Sequence, residues 1–133
     1  MPFRVLFVCV ENSNRSQMAE AFARMHGGAD VAGASAGSRP SGRVNPKAIA
    51  AMLERGYDLT THRSKSVDEM RPLRWDRVIT MGCGDACPWV PASAQQDWMI
   101  PDPRDLDEAG VRAVRDEIER RVVALLGAVT APA

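Results

Sequence analysis

The N-terminal part of the chain carries the pattern that most limits the fold. Apolar β-forming residues run from Val5 into Cys9, short polar side chains follow, and from Arg15 onward apolar residues recur every three or four positions. This succession predicts a buried strand that ends at Cys9, a loop, and a helix that begins at Arg15. The loop is therefore held between the end of a strand and the beginning of a helix.

A loop in this position suits an anion. The first turn of a helix has unpaired N–H groups and roughly half a positive charge, so an oxyanion can accept several hydrogen bonds there. Cys9 and Arg15 bracket the loop; free N–H groups and a guanidinium stabilise a cysteine thiolate, and arginine can hold two oxygens of a phosphate-like ion. The structural alternative is a packed cysteine and a surface arginine. The pattern favours a nucleophile within an oxyanion-binding loop, formed by Val10, Glu11, Asn12, Ser13, Asn14, Arg15 and Ser16.

Length and charge narrow the class of protein. A chain of 133 residues is expected to form one domain, spanning residues 1–133. Its 17 basic and 17 acidic residues balance, which argues against a nucleic-acid-binding surface or a basic membrane-binding face. No apolar run approaches the ~18 residues of a membrane span, and no signal peptide is evident, so a cytoplasmic location is expected. The protein is also expected to be a monomer. Thiols stay reduced in that compartment, so the three cysteines favour chemistry over a structural disulfide.

Strands alternate with helices along the rest of the chain. Strands are predicted at residues 31–36, 77–81 and 97–100, and an extended piece at 59–61. Helices are predicted from Asn45-Pro46 to Gly56, briefly from Val67, and at residues 107–126. Residues 127–133 are expected to form a frayed tail. Such alternation predicts an α/β fold with a parallel sheet and helices on both faces. Ligands in these folds bind beyond the carboxyl ends of the strands, where the Cys9 loop would lie.

A second cysteine cluster follows the strand predicted at 77–81. Cys83 and Cys87 are separated by three residues in a glycine-rich loop that should open at the same sheet edge as Cys9. A redox pair that resolves a species formed on Cys9 is the favoured interpretation. Zinc ligands and inert thiols are the alternatives, although the cysteines and two histidines do not form two ligand pairs at zinc-site spacing, so no metal is expected.

An aspartate between two prolines forms the third cluster. Asp102 follows the last predicted strand, and the prolines stiffen its loop. A carboxyl group held over the oxyanion loop could protonate a departing oxygen. A turn aspartate is the structural alternative, with Asp105 or Asp107 capping the last helix.

Taken together, these motifs resemble the thioredoxin-coupled arsenate reductases, which are built on the low-molecular-weight protein tyrosine phosphatase fold. The matching stretches are C-V-E-N-S-N-R-S-Q-M-A-E-A from Cys9, N-P-K-A from Asn45, H-R-S-K from His62, M-G-C-G-D-A-C-P from Met81 and D-P from Asp102. The resemblance implies a three-layer sandwich, in which helices flank a four-stranded parallel sheet and a phosphatase-type loop follows the first strand. It also implies reduction of arsenate to arsenite without a bound cofactor.

The resemblance implies a role for each matched residue of the loop. Cys9 would attack arsenate held by Arg15 and the loop amides. Ser16 would hydrogen-bond the thiolate, Asn12 would fix the shape of the loop, and Asp102 would protonate the leaving oxygen.

The same resemblance implies a disulfide relay. Cys83 would attack Cys9 and expel arsenite, Cys87 would take over Cys83, and thioredoxin would reduce the resulting Cys83/Cys87 disulfide. The two resolving cysteines stand closer together here than in well-known members of the family, and Cys83 is matched only after a shift of one residue.

A further departure concerns potassium. Some members bind this ion near the loop through an Asn, a Glu, a Ser and an Asp. Asn12, Glu20 and Ser35 match, but Lys65 stands where the Asp is expected. Since an ammonium group could replace the ion, no potassium dependence is predicted.

Three alternative functions share the loop. A tyrosine phosphatase would use Cys9, Arg15 and Asp102, but would have no use for the two later cysteines, and typically has aromatic residues where Arg104 follows the D-P pair. An arsenate reductase could instead use mycothiol or glutathione with a redoxin. An oxyanion-binding or arsenic-sensing module would bind without turnover.

Overall fold

A four-stranded parallel sheet forms the centre of the protein. The computed structural model describes residues 2–82 and 90–130, so Cys83 and Cys87 lie outside the described residues. The strands are β1 (Phe3–Cys9), β2 (Val31–Gly37), β3 (Arg77–Thr80) and β4 (Ala94–Asp97), and the α-helices of the described residues are α1 (Arg15–Gly27), α2 (Pro46–Leu53) and α3 (Glu108–Thr130). The order across the sheet is β2-β1-β3-β4, with every pair parallel. The expected fold class is confirmed.

The strand order determines where a ligand can bind. The chain leaves β1 for β2 on one side and later returns to β3 on the other, which makes the β1–β3 boundary a topological switch point. At this boundary Val8 pairs with Thr80, and the amide of Met81 donates to the Val8 carbonyl at 2.9 Å. The loop after β1 therefore opens where α/β proteins place their ligands.

The two faces of the sheet are covered differently. On one face, Phe7 packs in a core that α1, α2 and α3 complete with residues such as Phe22, Met52 and Ile118, each 0% exposed. On the other face, Leu6, Val8 and Val78 pack against Val67, Met70, Trp75 and Val90, and Val67 belongs to a 3-10 turn (Val67–Glu69). Each fully buried large side chain contributes about 1.5–3 kcal/mol, so both cores hold β1 firmly.

Three local predictions were wrong. The last strand is Ala94–Asp97 rather than residues 97–100. The apolar pattern was misleading because Trp98 and Ile100 are buried as loop residues, whereas the edge strand itself is exposed along its whole length. Residues 59–61 form a 3-10 turn, since the Asp58 carboxylate accepts from the Thr60 amide and caps it. Helix α3 runs on to Thr130 instead of fraying after Leu126.

The predicted caps are confirmed. The Asn45 side chain accepts from the Lys47 amide at 2.8 Å, and Pro46 occupies the first position of α2. At the start of α3, the Asp107 carboxylate accepts from the Gly110 amide at 2.9 Å. These caps fix the starts of α2 and α3.

Candidate active site

A small cavity lies at the carboxyl end of β1. Its volume is about 180 Å³, below the ~300–1,000 Å³ that is typical of sites for drug-sized ligands. It is lined by Cys9, Val10, Glu11, Ser13, Asn14, Arg15, Asp102 and Arg104. The cavity thus unites most of the predicted oxyanion loop with the predicted carboxyl group.

The backbone of the loop is oriented by its neighbours. The Val10 carbonyl accepts from the Arg39 amide at 2.8 Å, and the Ser13 carbonyl accepts from the Asn45 amide at 2.9 Å. In a planar trans peptide the N–H points opposite to the C=O. The amides that follow these carbonyls, those of Glu11 and Asn14, are therefore turned away from the flanking segment. Both residues line the cavity, where such N–H groups suit an anion.

The sulfur of Cys9 lies at the bottom of this loop. Cys9 is 3% exposed, and its Sγ lies 2.8 Å from Ser16 Oγ. Asn12 Nδ2 donates to the same Ser16 oxygen at 2.8 Å. Asn12 Oδ1 accepts from the Lys65 amide at 3.0 Å, which fixes the orientation of the Asn12 side chain. Because Ser16 already accepts from Asn12, its own hydroxyl proton is free to be donated to Cys9.

Asn12 is held in an unusual backbone conformation. Its φ is 50°, in the left-handed region that asparagine tolerates better than most residues. The buried Gln17 stabilises it, since Gln17 Nε2 lies 3.0 Å from both Asn12 O and Asn12 Oδ1 and 2.9 Å from Arg63 O. His62 Nδ1 in turn lies 2.9 Å from Gln17 Oε1. The loop shape is thus tied to α1 through Gln17 and to one distant segment, that of His62 and Arg63.

Gly37 allows the loop to approach β2. A Cβ built on Gly37 would lie 2.5 Å from Val10 O and 3.0 Å from both Cys9 O and Asn12 N. No side chain fits in that space without displacing backbone. Glycine at this position is therefore a requirement of the loop conformation.

Arg15 and Asp102 face each other across the cavity. The Arg15 side chain is 9% exposed, and its Nη1 donates to Met81 O at 2.5 Å and to Ile100 O at 2.9 Å. Its Nη2 lies 3.9 Å from Asp102 Oδ2. Arg15 therefore joins the loop to the ends of two other segments, and Asp102, whose side chain is 43% exposed, lies near the cavity mouth.

A buried cluster of charges supports the far side of α1. Glu20 is 3% exposed and accepts from Ser35 Oγ at 2.7 Å, while Lys65 Nζ lies 3.5 Å from the same carboxylate oxygen. Burial lowers the pKa of Lys65, although Glu20 opposes that shift. Burial also lowers the pKa of His62, whose Nδ1 lies 3.5 Å from Glu20. The residues present place an ammonium group beside Glu20 and Ser35, so they do not fit a potassium site.

The part of the chain that the structure describes contains neither a metal-binding cluster nor a membrane-spanning helix. Residues 2–82 and 90–130 contain no group of three or more His, Cys, Asp or Glu side chains that could hold a metal ion. No described helix is both long and apolar enough to cross a membrane.

Sequence reasoning located the loop but gave no role to some of its neighbours. Gln17 belongs to the motif that begins at Cys9, and its only sequence signal is a polar residue beside the apolar positions of α1. In the sequence, Arg104 stands out only as a non-aromatic residue after the D-P pair, yet it lines the cavity and pairs with Glu11 at 3.2 Å. The sequence does carry a signal for this pair: Glu11 and Arg104 have opposite charges and lie in two loops that are predicted to meet at one edge of the sheet.

Comparisons with known proteins agree with this geometry. The family model for low molecular weight phosphotyrosine protein phosphatase matches residues 4–132. A protein named glutaredoxin arsenate reductase from Synechocystis sp. is 38% identical over 96% of this chain and 98% of its own. A protein named arsenate reductase from Staphylococcus xylosus is 40% identical over 86% of this chain and 89% of its own.

Solved structures extend the likeness to three dimensions. A structure described as an arsenate reductase in the phosphate binding state has a TM-score of 0.87 and 37% identity, covering 95% of this chain and 98% of the other. A Corynebacterium glutamicum thioredoxin-dependent arsenate reductase has a TM-score of 0.80 and 33% identity, covering 97% of this chain and 62% of the other. By its matched length, its fold and its relatives, the chain belongs to the low molecular weight phosphotyrosine protein phosphatase family.

Proposed function

We propose that the protein is an arsenate reductase that converts arsenate to arsenite with Cys9 as the nucleophile. The observation that carries this proposal is the cavity at the end of β1, where Cys9 Sγ, the loop amides, Arg15 and Asp102 surround a space suited to a small tetrahedral oxyanion. Relatives named arsenate reductase at 38–40% identity support the same conclusion.

The first step forms a bond between sulfur and arsenic. The Cys9 thiolate, stabilised by the Ser16 hydroxyl, attacks arsenic(V), and one As–O bond breaks. Asp102 protonates the oxygen that leaves, which departs as water. Arg15 and the loop amides hold the remaining oxygens and the charge that develops on them.

The second step transfers two electrons to arsenic. The Cys83 thiolate attacks Cys9 Sγ, a disulfide forms, and the S–As bonding pair passes to arsenic, which leaves as arsenite. Cys87 then attacks Cys83, which restores the Cys9 thiol and leaves a Cys83/Cys87 disulfide. Thioredoxin reduces that disulfide by exchange with its own dithiol. This relay rests on the resemblance of the sequence, because both later cysteines lie outside the described residues.

The main alternative keeps the same reaction but uses a different reductant in place of thioredoxin. The Synechocystis relative is named a glutaredoxin arsenate reductase, and the Corynebacterium neighbour is named thioredoxin-dependent. In a glutathione or mycothiol route, the small thiol attacks Cys9 Sγ of the adduct, and arsenite leaves with the S–As bonding pair. A redoxin then reduces the mixed disulfide that forms on Cys9. Cys83→Ser and Cys87→Ser variants would remain active in that route and would stall in the relay.

A coupled assay separates these schemes. Arsenate-dependent NADPH oxidation is measured with thioredoxin and thioredoxin reductase, and in parallel with glutathione, glutaredoxin and glutathione reductase. We expect turnover with the thioredoxin system and none for Cys9→Ser. Cys83→Ser should stop at the Cys9 adduct without releasing arsenite, and Cys87→Ser should release about one arsenite and stop at the Cys9/Cys83 disulfide. Turnover only with the glutathione system would replace the relay by the alternative route. Failure of both systems, together with phosphatase turnover, would favour the phosphatase function of the family.

A further inference from the structure

A charge pair lies at the mouth of the cavity. Arg104 Nη1 is 3.2 Å from Glu11 Oε1, and both residues line the cavity. A carboxylate beside an anion site repels the ligand. The Arg104 guanidinium offsets that repulsion and adds a second positive group to the one that Arg15 supplies from inside.

The backbone of Arg104 is fixed while its side chain is free to move. Its amide donates to Asp102 Oδ1 at 3.0 Å, and its carbonyl accepts from Lys47 Nζ at 2.9 Å. The preceding Pro103 is buried. The side chain itself is 55% exposed, and an exposed ion pair of this kind holds its partners only weakly. Arg104 can therefore leave Glu11 when an anion enters, without any change in the backbone.

The direction of nucleophilic attack determines what Arg104 would meet. In an in-line displacement, the oxygen opposite Cys9 points away from the sulfur and toward the mouth, where Asp102 and Arg104 lie. In inorganic phosphate or arsenate that oxygen accepts a hydrogen bond. In a phosphate monoester it carries a carbon group, which would have to pass the Glu11–Arg104 pair.

We propose that Arg104 is a second oxyanion-binding residue and that, together with Glu11, it makes the site selective for inorganic tetrahedral oxyanions over phosphate monoesters. This inference rests on the proposed function for its choice of ligand and specifies the substrate class of the same site. Selectivity arises at the mouth: the outward oxygen of an inorganic ion gains a contact with the Arg104 guanidinium, whereas the carbon group of an ester occupies that position and cannot make it.

Protection of Cys9 tests the proposal without any turnover. The rate of Cys9 alkylation by iodoacetamide is followed by mass spectrometry of its peptide, at constant ionic strength, with increasing inorganic phosphate or phenyl phosphate. The variants are Arg104→Ala, Arg104→Gln, Glu11→Gln and the double variant E11Q/R104A. Arg120→Ala is the matched control, since it removes the same charge and a similarly exposed ion pair with Glu117, at 2.8 Å, on α3.

The wild-type protein should bind phosphate about tenfold more tightly than phenyl phosphate, which is the effect of one charge-assisted hydrogen bond. Both Arg104 variants should lose that preference through weaker phosphate binding, whereas Arg120→Ala should keep it. E11Q/R104A should still bind phosphate more weakly than Glu11→Gln, because Arg104 contacts the ion itself. Thermal denaturation checks that each variant is folded.

Three results would overturn the proposal: equal binding of the two ligands by the wild type, an unchanged preference in both folded Arg104 variants, or equal phosphate binding by E11Q/R104A and Glu11→Gln. No arsenate or reductant takes part. A failure of arsenate reduction would therefore leave these results intact, and loss of the preference would leave the reductase proposal intact.

Discussion

Replacing Gly37 by alanine tests whether the loop conformation, rather than its residue types alone, creates the site. The added Cβ would lie 2.5 Å from Val10 O, whereas close C···O contacts are about 3.3 Å. The loop must therefore retreat by roughly 0.8 Å. A misplacement of about 1 Å can cost on the order of a hundredfold in catalysis. We expect Gly37→Ala to lose at least tenfold in phosphate binding and more in turnover.

The same substitution should also lower stability. Overpacking destabilises a folded protein by about 1–3 kcal/mol. Alanine also lowers the conformational entropy of the unfolded chain, which offsets about 0.4–1 kcal/mol of that loss. The free energy of unfolding should thus fall by about 1–2 kcal/mol, which lowers the melting temperature by roughly 4–8 °C for a domain of this size. Thermal denaturation followed by circular dichroism measures this change.

Gly33→Ala provides a control on the same strand. Its Cβ would meet Ala23 Cβ at 2.9 Å on α1, and its other neighbour is Glu20 O at 3.8 Å, so it disturbs packing without touching the loop. It should lower the melting temperature and leave phosphate protection of Cys9 unchanged. If Gly37→Ala bound phosphate as tightly as the wild type, the requirement for this loop conformation would be refuted.

The remaining predictions concern single groups. Ser16→Ala should slow alkylation of Cys9 at pH 7 about threefold to tenfold, because the thiolate loses a donor; an unchanged rate would exclude that hydrogen bond. Asp102→Asn should slow the single-turnover release of arsenite by roughly a hundredfold or more and leave phosphate binding within about twofold, and an equal rate would remove Asp102 as the acid. Exchange of sodium for potassium should not alter the reductase rate, because Lys65 supplies the cation; marked potassium activation would contradict this. Burial holds the pKa of His62 below its ordinary 6.5, so the unfolded state takes up the proton first as the pH falls. Stability to urea should therefore decline as the pH falls below about 6.5, and a His62→Gln variant should lose that part of the pH dependence; an identical slope in the variant would show that another group titrates.

Local sequence signals were enough to place the loop. A continuous apolar run ends at Cys9, and a helical spacing of apolar residues begins at Arg15, because both the strand and the helix bury their apolar side chains. The structure has β1 end and α1 begin at these residues. Asp102 was expected near the loop because it follows the last strand, and the structure places it 3.9 Å from Arg15.

Other features depend on contacts that no local pattern encodes. The four residues of β4 are all exposed, so they show no apolar alternation, and only backbone pairing with β3 makes them a strand. The contact between Gln17 and His62 joins side chains 45 residues apart. The Glu11–Arg104 pair spans 93 residues. These contacts follow from the way the segments meet in the fold.

A single-turnover experiment tests most directly the claim that Cys9 in this loop reduces arsenate. The fully reduced protein is mixed with excess arsenate in the absence of any external reductant, and released arsenite is counted. The wild type should release about one arsenite per molecule, since one disulfide supplies two electrons, while Cys9→Ser should release none and still bind phosphate. Arsenite release by a folded, phosphate-binding Cys9→Ser variant would contradict the account.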